Sequence, residues 1–116
     1  MKVIIAGART FNDYNLLCQK CNHALSLQSE IEIVSGTANG ADKLGERYAI
    51  EKGYPIRQFP ADWDKFGKGA GYRRNEEMAK YADALIAFWD GKSKGTKHMI
   101  DLAKSYKLKV KVIIFI

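Results

Sequence analysis

The sequence predicts an α/β fold: a five-stranded, mostly parallel sheet with about four helices, arranged as a three-layer sandwich. Three observations lead there. Apolar, β-branched runs alternate strictly with segments of helical period, in the order βαβαβαβαβ. The strand candidates are near-continuous apolar runs, as strands buried on both faces are. The connections are short, and every glycine-rich loop follows a strand.

The elements follow in order. "KVIIA" (2–6) is a β-branched run stopped by Gly7. Residues 12–28 place Leu16, Leu17, Cys21, Ala24 and Leu25 at helical spacing, with Asn12 or Asp13 as N-cap. "IEIVS" (31–35) is the second strand and ends at Gly36. Residues 40–53 form a helix on Ala41, Leu44 and Tyr48, closed by Gly53. "IRQFP" (56–60) is a short third strand, and 61–70 is a loop rich in glycine and aromatic residues. Residues 72–82 are helical, 84–89 ("ALIAFW") form a strand, and 95–106 form a helix with Met99, Leu102, Ala103 and Tyr106 inward. "KVKVIIFI" (109–116) is the last strand.

The 116 residues suffice for one domain, 1–116. A hydrophobic content of 47% with 28% charged residues is that of a soluble globule. No apolar stretch approaches the roughly 18–20 residues that span a bilayer, so no membrane association is expected. The opening "MKVIIAGAR" is cut by Arg9 too early for an export signal, which points to a cytoplasmic protein. Cys18 and Cys21 form a CxxC inside a helix. No second such pair exists, and they are expected to be ordinary reduced thiols, with no metal and no cofactor.

The net charge of +6 favours anionic partners. Its distribution is more informative than its size, because Arg9, Lys68, Arg73, Arg74, Lys92, Lys94 and Lys97 fall in or beside glycine-rich loops. In parallel α/β sheets, ligands collect beyond the carboxyl ends of the strands. Four loops open there. In "GARTF" (7–11), Gly7 allows a tight turn and Arg9 offers a guanidinium fork, or is a solvated turn residue. In "SGTANGAD" (35–42), Gly36 and Gly40 precede a helix start that can cradle an anion, and Ser35, Thr37 and Asn39 add donors. Asp42 there either complements the helix dipole or accepts from a sugar hydroxyl.

The third loop, "ADWDKFGKGAGYRRN" (61–75), is not GxGxxG, since Tyr72 takes the third glycine's place. Trp63, Phe66 and Tyr72 either stack on a base or close the core beneath the loop. Arg73, Arg74 and Asn75 at the next helix start would repel one another and the helix dipole without an anion opposite. In the fourth loop, "GKSKGT" (91–96), a Walker A motif would need glycine where Ile86 stands. Gly91, Ser93, Gly95 and Thr96 form instead a second cradle at a helix start, with lysines around it.

"GARTF", "SGTANGAD" and the stretch from "PADW" through "GKSKGT" together resemble the YspA-related branch of the SLOG superfamily, over nearly the whole chain. The resemblance implies a Rossmann-like fold related to the DNA-processing protein DprA and to the cytokinin-releasing phosphoribohydrolases. It also implies a nucleotide or nucleotide-derived ligand, held by its phosphate in the Gly-rich loops. Among Arg73, Arg74 and Asn75 it points to a substrate-contacting arginine. Those enzymes carry a glutamate in "GTxxE", where this chain has Met99; methionine neither stabilises a ribosyl cation nor activates water.

The expected function is therefore binding of a nucleotide-like small molecule by a sensor or sequestering protein. The expected contacts are Gly7, Arg9, Ser35, Gly36, Gly40, Asp42, Arg73, Arg74, Asn75, Gly91, Ser93, Gly95 and Thr96. One alternative is a phosphoribohydrolase-like N-glycosidase acting on nucleoside monophosphates, with Arg74 and Asp101 as catalytic candidates. The other is weak nucleic-acid binding. Nucleic acid ranks last as a partner, for want of a basic tail or a second module. A homo-oligomer, dimer or higher, is expected, because so small a sheet has little surface to spare for completing a pocket.

Overall fold

A computed structural model describes residues 1–116. The strands are β1 (Lys2–Gly7), β2 (Glu32–Ser35), β3 (Ile56–Gln58), β4 (Ala84–Trp89) and β5 (Lys109–Ile114). The helices are α1 (Tyr14–Leu25), α2 (Ala41–Lys52), α3 (Trp63–Phe66), α4 (Ala70–Tyr81) and α5 (Lys94–Ser105), with a 3₁₀ turn at Gly67–Gly69 after α3. All pairings are parallel and the strand order is β3-β2-β1-β4-β5. The fold is the Rossmann-like sandwich that the alternation of elements predicts.

The sheet is covered on both faces because successive residues of its central strand point opposite ways. Val3 and Ile5 pack with Ile33, Ile86 and Phe88 beneath α1 and α2, through Leu17, Cys21, Tyr48 and Ala49. Ile4 and Ala6 pack with Val34, Leu85 and Ala87 beneath α4 and α5, through Met78, Ala79, Met99, Ile100 and Ala103. Burying one such aliphatic side chain is worth about 1.5–3 kcal/mol, so both helix layers are fixed by the same strand. Cys18 and Cys21 are both free thiols; Cys21 lies in the core, where burial pushes its pKa up to about 12. No helix is long and apolar enough to cross a membrane.

The stretch 61–71 differs from the expected loop. Asp62 caps a single helical turn, its carboxylate accepting from the Lys65 amide at 3.1 Å, and the helix that carries Arg74 begins at Ala70. Glycines at 67, 69 and 71 conceal the helical period there. The third strand also ends at Gln58, two residues early, and the Phe59 amide makes the last bond of its ladder, to the Ser35 carbonyl at 2.8 Å.

The chain leaves β1 outward to β2 and β3, then returns to place β4 on the other side of β1. Connections diverge at that seam, and a crevice opens beyond the carboxyl ends of β1 and β4.

Candidate functional site

Two adjoining depressions lie along this rim. The first, of about 250 Å³, has Ala6 and Gly7 of β1 at its floor. Arg9, Ala38 and Asp42 form one wall, Trp63, Lys68, Gly71, Tyr72, Arg74, Asn75 and Met78 another, and Ser93, Gly95, Thr96 and Met99 the third. The second, of about 380 Å³, is lined by Gly36, Thr37, Ala38, Asn39, Pro60 and Ala61. Arg9, Ala38, Trp63 and Arg74 belong to both, so the two form one groove that passes over Arg74.

Arg74 is at the centre of a hydrogen-bonded chain that ties three loops together. Its Nη1 donates to the Gly36 carbonyl and its Nε donates to Asn75 Oδ1 at 3.0 Å. Asn75 Nδ2 in turn donates to the Gly95 carbonyl at 3.3 Å and lies 3.2 Å from His98 Nδ1. These bonds use Nε and Nη1, and Nη2 makes no hydrogen bond within the chain. Burial lowers the pKa of Arg74, opposed by the charge of Asp42.

Asp42 is buried and lines the first depression. Its Oδ2 accepts from the Ala38 amide at 3.2 Å. Burial pushes its carboxyl up to about 6, although the Arg74 charge and the Ala38 amide act the other way. Gly36 separates the two side chains. A Cβ there would stand 2.7 Å from Arg74 Nη1 and 2.8 Å from Asp42 Oδ2, so only glycine lets both approach.

The loop after β4 is built by its own side chains. Asp90 Oδ1 accepts from the amides of Lys92 and Ser93, which holds its carboxyl below the usual range. Ser93 caps α5 by accepting from the Thr96 amide, and Trp89 Nε1 donates to the Ser93 carbonyl at 3.1 Å. The first-turn amides of α5, at Lys94 and Gly95, are of the kind a helix leaves without internal acceptors, and they favour an anion.

Charge is distributed unevenly. The chain's four ion pairs are Lys43–Glu46, Arg47–Glu51, Lys80–Glu76 and Lys97–Asp101, each within one helix and all but Glu46 well exposed. None involves Arg9, Lys68 or Arg74, the three cations that line the groove. Their positive potential is thus not cancelled by a carboxylate in contact.

Of the predicted contacts, the groove gathers Gly7, Arg9, Gly36, Asp42, Arg74, Asn75, Ser93, Gly95 and Thr96. Four others stand outside it. Ser35 is fully buried; its hydroxyl donates to Glu46 at 2.6 Å and accepts from the Thr37 amide, which occupies it internally. Gly40 (φ 81°, ψ −129°) is pressed against the Ala8 carbonyl and Arg9, a packing role between two loops. Arg73 turns outward over the Phe66 ring at 4.2 Å, and Gly91 makes a turn with open space around it. Asp101 also lies outside. It is exposed on α5 and held by Lys97 at 2.8 Å, while Met99, two residues earlier, lines the groove. Lys97 is likewise engaged by that pair. Sequence reasoning missed the lining by Ala38, Gly71 and Met78; only the i, i+4 spacing of Arg74 and Met78 on a helix hinted at a shared face.

Residues 1–66 match the family described as YspA, cpYpsA-related SLOG. The chain is 34% identical over 104 residues to Gene 61 protein of Mycobacterium phage D29, covering 84% of this chain and 83% of that one. Its fold is similar to that of DNA processing protein A from Helicobacter pylori, at a TM-score of 0.69 and 21% identity over 97% of this chain. The chain spans 64% of that protein's length. The solved structure is described as showing a single-stranded DNA binding mode. This overturns the expectation of a sensor for a free nucleotide-like small molecule, and with it the ranking of nucleic acid as the last partner.

Proposed function

The chain belongs to the YspA, cpYpsA-related SLOG family, and from that premise we propose that its rim groove binds single-stranded nucleic acid by the sugar–phosphate backbone. The observation that carries this reading is the continuity of the two depressions across Arg74, with Arg9, Lys68 and Arg74 free of ion pairs. A polyanion needs successive cationic contacts along a track. A groove open at both sides of a shared arginine offers such a track, whereas a closed pocket does not.

The chemistry of the parts supports the same reading. The Nη2 side of the Arg74 fork suits a phosphate oxygen. The first-turn amides of α5 supply donors for another. The net charge of +6 adds long-range attraction. The similarity in fold to a protein described as binding single-stranded DNA favours this partner class over others.

The test is fluorescence anisotropy of a labelled oligothymidylate across a salt series. Each phosphate neutralised on a single strand contributes a slope of about −0.7 in log K against log salt. Binding with a slope of about −1.4 or steeper is expected, shallower by about 0.7 in an Arg74→Ala protein. Affinity indifferent to salt, or an Arg74→Ala protein that binds as the wild type does, would overturn the reading.

A further inference from the structure

The third loop carries three aromatic side chains, and the structure separates their roles. Phe66 is covered by Arg73 at 4.2 Å and approached by Lys65 at 5.2 Å. Tyr72 packs on the His98 ring at 4.4 Å. Trp63 takes part in none of the chain's aromatic or cation–ring contacts, although half of its surface is exposed. Large exposed indoles are costly on a monomer's surface and mark contact sites when they adjoin polar recognition groups.

Trp63 is also placed where a strand would pass, since it lines both depressions. Gly71 joins it to Arg74: Trp63 Cη2 lies 3.5 Å and Arg74 Nη2 lies 3.7 Å from the point where Gly71 would carry a Cβ. A flat apolar ring and the free end of a guanidinium thus sit side by side. One nucleotide has that pair of features, a base and its phosphate. The backbone that carries the ring is ordered, because Asp62 caps the turn that Trp63 begins.

We infer that Trp63 is a stacking platform for an unpaired base, set beside the Arg74 phosphate contact. The inference rests on the proposed binding of a single strand and specifies how that strand is held. Bases in a duplex are stacked on one another and present no free face, so the platform selects for unpaired nucleic acid. Stacking of this kind tolerates any base, because each has a π-face.

The test uses the intact chain with oligothymidylate and a matched oligomer whose bases are removed. Binding of the intact oligomer is expected to quench tryptophan emission. The quench disappears in Trp63→Phe, where Trp89 alone emits. Trp63→Ala weakens binding by about 5-fold or more, Trp63→Phe retains most of the affinity, and the abasic oligomer binds the wild type as weakly as the intact oligomer binds Trp63→Ala. Equal binding of both oligomers with unchanged emission, alongside loss of both in Arg74→Ala, would remove the platform and leave the phosphate groove standing. No binding of either oligomer by the wild type would remove both. If Trp63→Ala fails to fold by circular dichroism, the emission of Trp63→Phe and the abasic comparison decide.

Discussion

Arg74 and Asp42 both border Gly36, each within 3 Å of where its side chain would begin, yet they form no ion pair. The arginine spends its bonds on a carbonyl and an amide oxygen, both neutral. Its charge is steadied by Asp42 at a distance without being neutralised, which leaves it available to a phosphate.

Replacing Arg74 by lysine keeps the charge and removes the fork. Oligonucleotide binding is expected to weaken about 10-fold or more, read by anisotropy. Stability should fall by about 1–2 kcal/mol in urea melts, since the Gly36 carbonyl and Asn75 lose a charged donor.

Asp42 predicts a pH dependence whose sign can be worked out. Its carboxyl titrates near 6 in the folded protein, above the ordinary aspartate value of about 3.9. The folded state therefore holds the proton more tightly than the unfolded chain does. The resulting penalty on stability is absent below about pH 4, grows between about 4 and 6, and is constant above. Asp42→Asn should be more stable than wild type at pH 7 and should flatten the profile between 4 and 6 in denaturant melts. Wild-type oligonucleotide affinity should rise as pH falls through 6, because the carboxylate beside the groove loses its charge. Asp42→Asn should lack that rise.

Gly40 and Gly91 both have positive φ, at 81° and 79°, but only Gly40 is crowded. Its ψ of −129° lies in a region that glycine alone tolerates. Gly91→Ala is expected to cost about 1–2 kcal/mol. Gly40→Ala should cost more, because the added methyl meets the Ala8 carbonyl as well. Urea denaturation of the two variants ranks them.

Among the lysines, position predicts effect better than number. Lys68 lines the groove, whereas Lys97 is held by Asp101 outside it. Lys68→Ala should reduce the salt slope of binding by about 0.7, and Lys97→Ala should leave it unchanged, in the same anisotropy series.

Much of the fold was legible because hydrophobic period and strand composition agree over most of the chain. Buried parallel strands such as "VIIA" and "ALIAFW" have few other interpretations. The gathering of Gly36, Arg74 and Gly95 at one rim followed from topology alone. What escaped were properties of packing. Nothing in "SGTANGAD" tells that Ser35 faces Glu46 while Thr37 faces the groove; that depends on which residue the strand twist turns inward. Nothing in "GKGAGYRRN" tells which arginine points in, because three glycines mask the start of α4. The proposed partner is hard to read from sequence for a different reason. Cradles for phosphate look alike whether the phosphate is free or part of a strand, and only the groove's continuity across Arg74 distinguishes them.

The seam between β1 and β4 joins residues about eighty positions apart, as in the pairing of Val3 with Ala84. A fragment ending with α3, close to the region that carries the family signature, would contain β1, β2 and β3 but nothing to cover the far side of β1. That flank would bare a row of backbone donors and acceptors on a strand that is buried from Val3 through Ala6, an invitation to intermolecular strand addition. Such a piece should self-associate before it could engage any partner, so the part of the chain after α3 acts as the guard of the part before it.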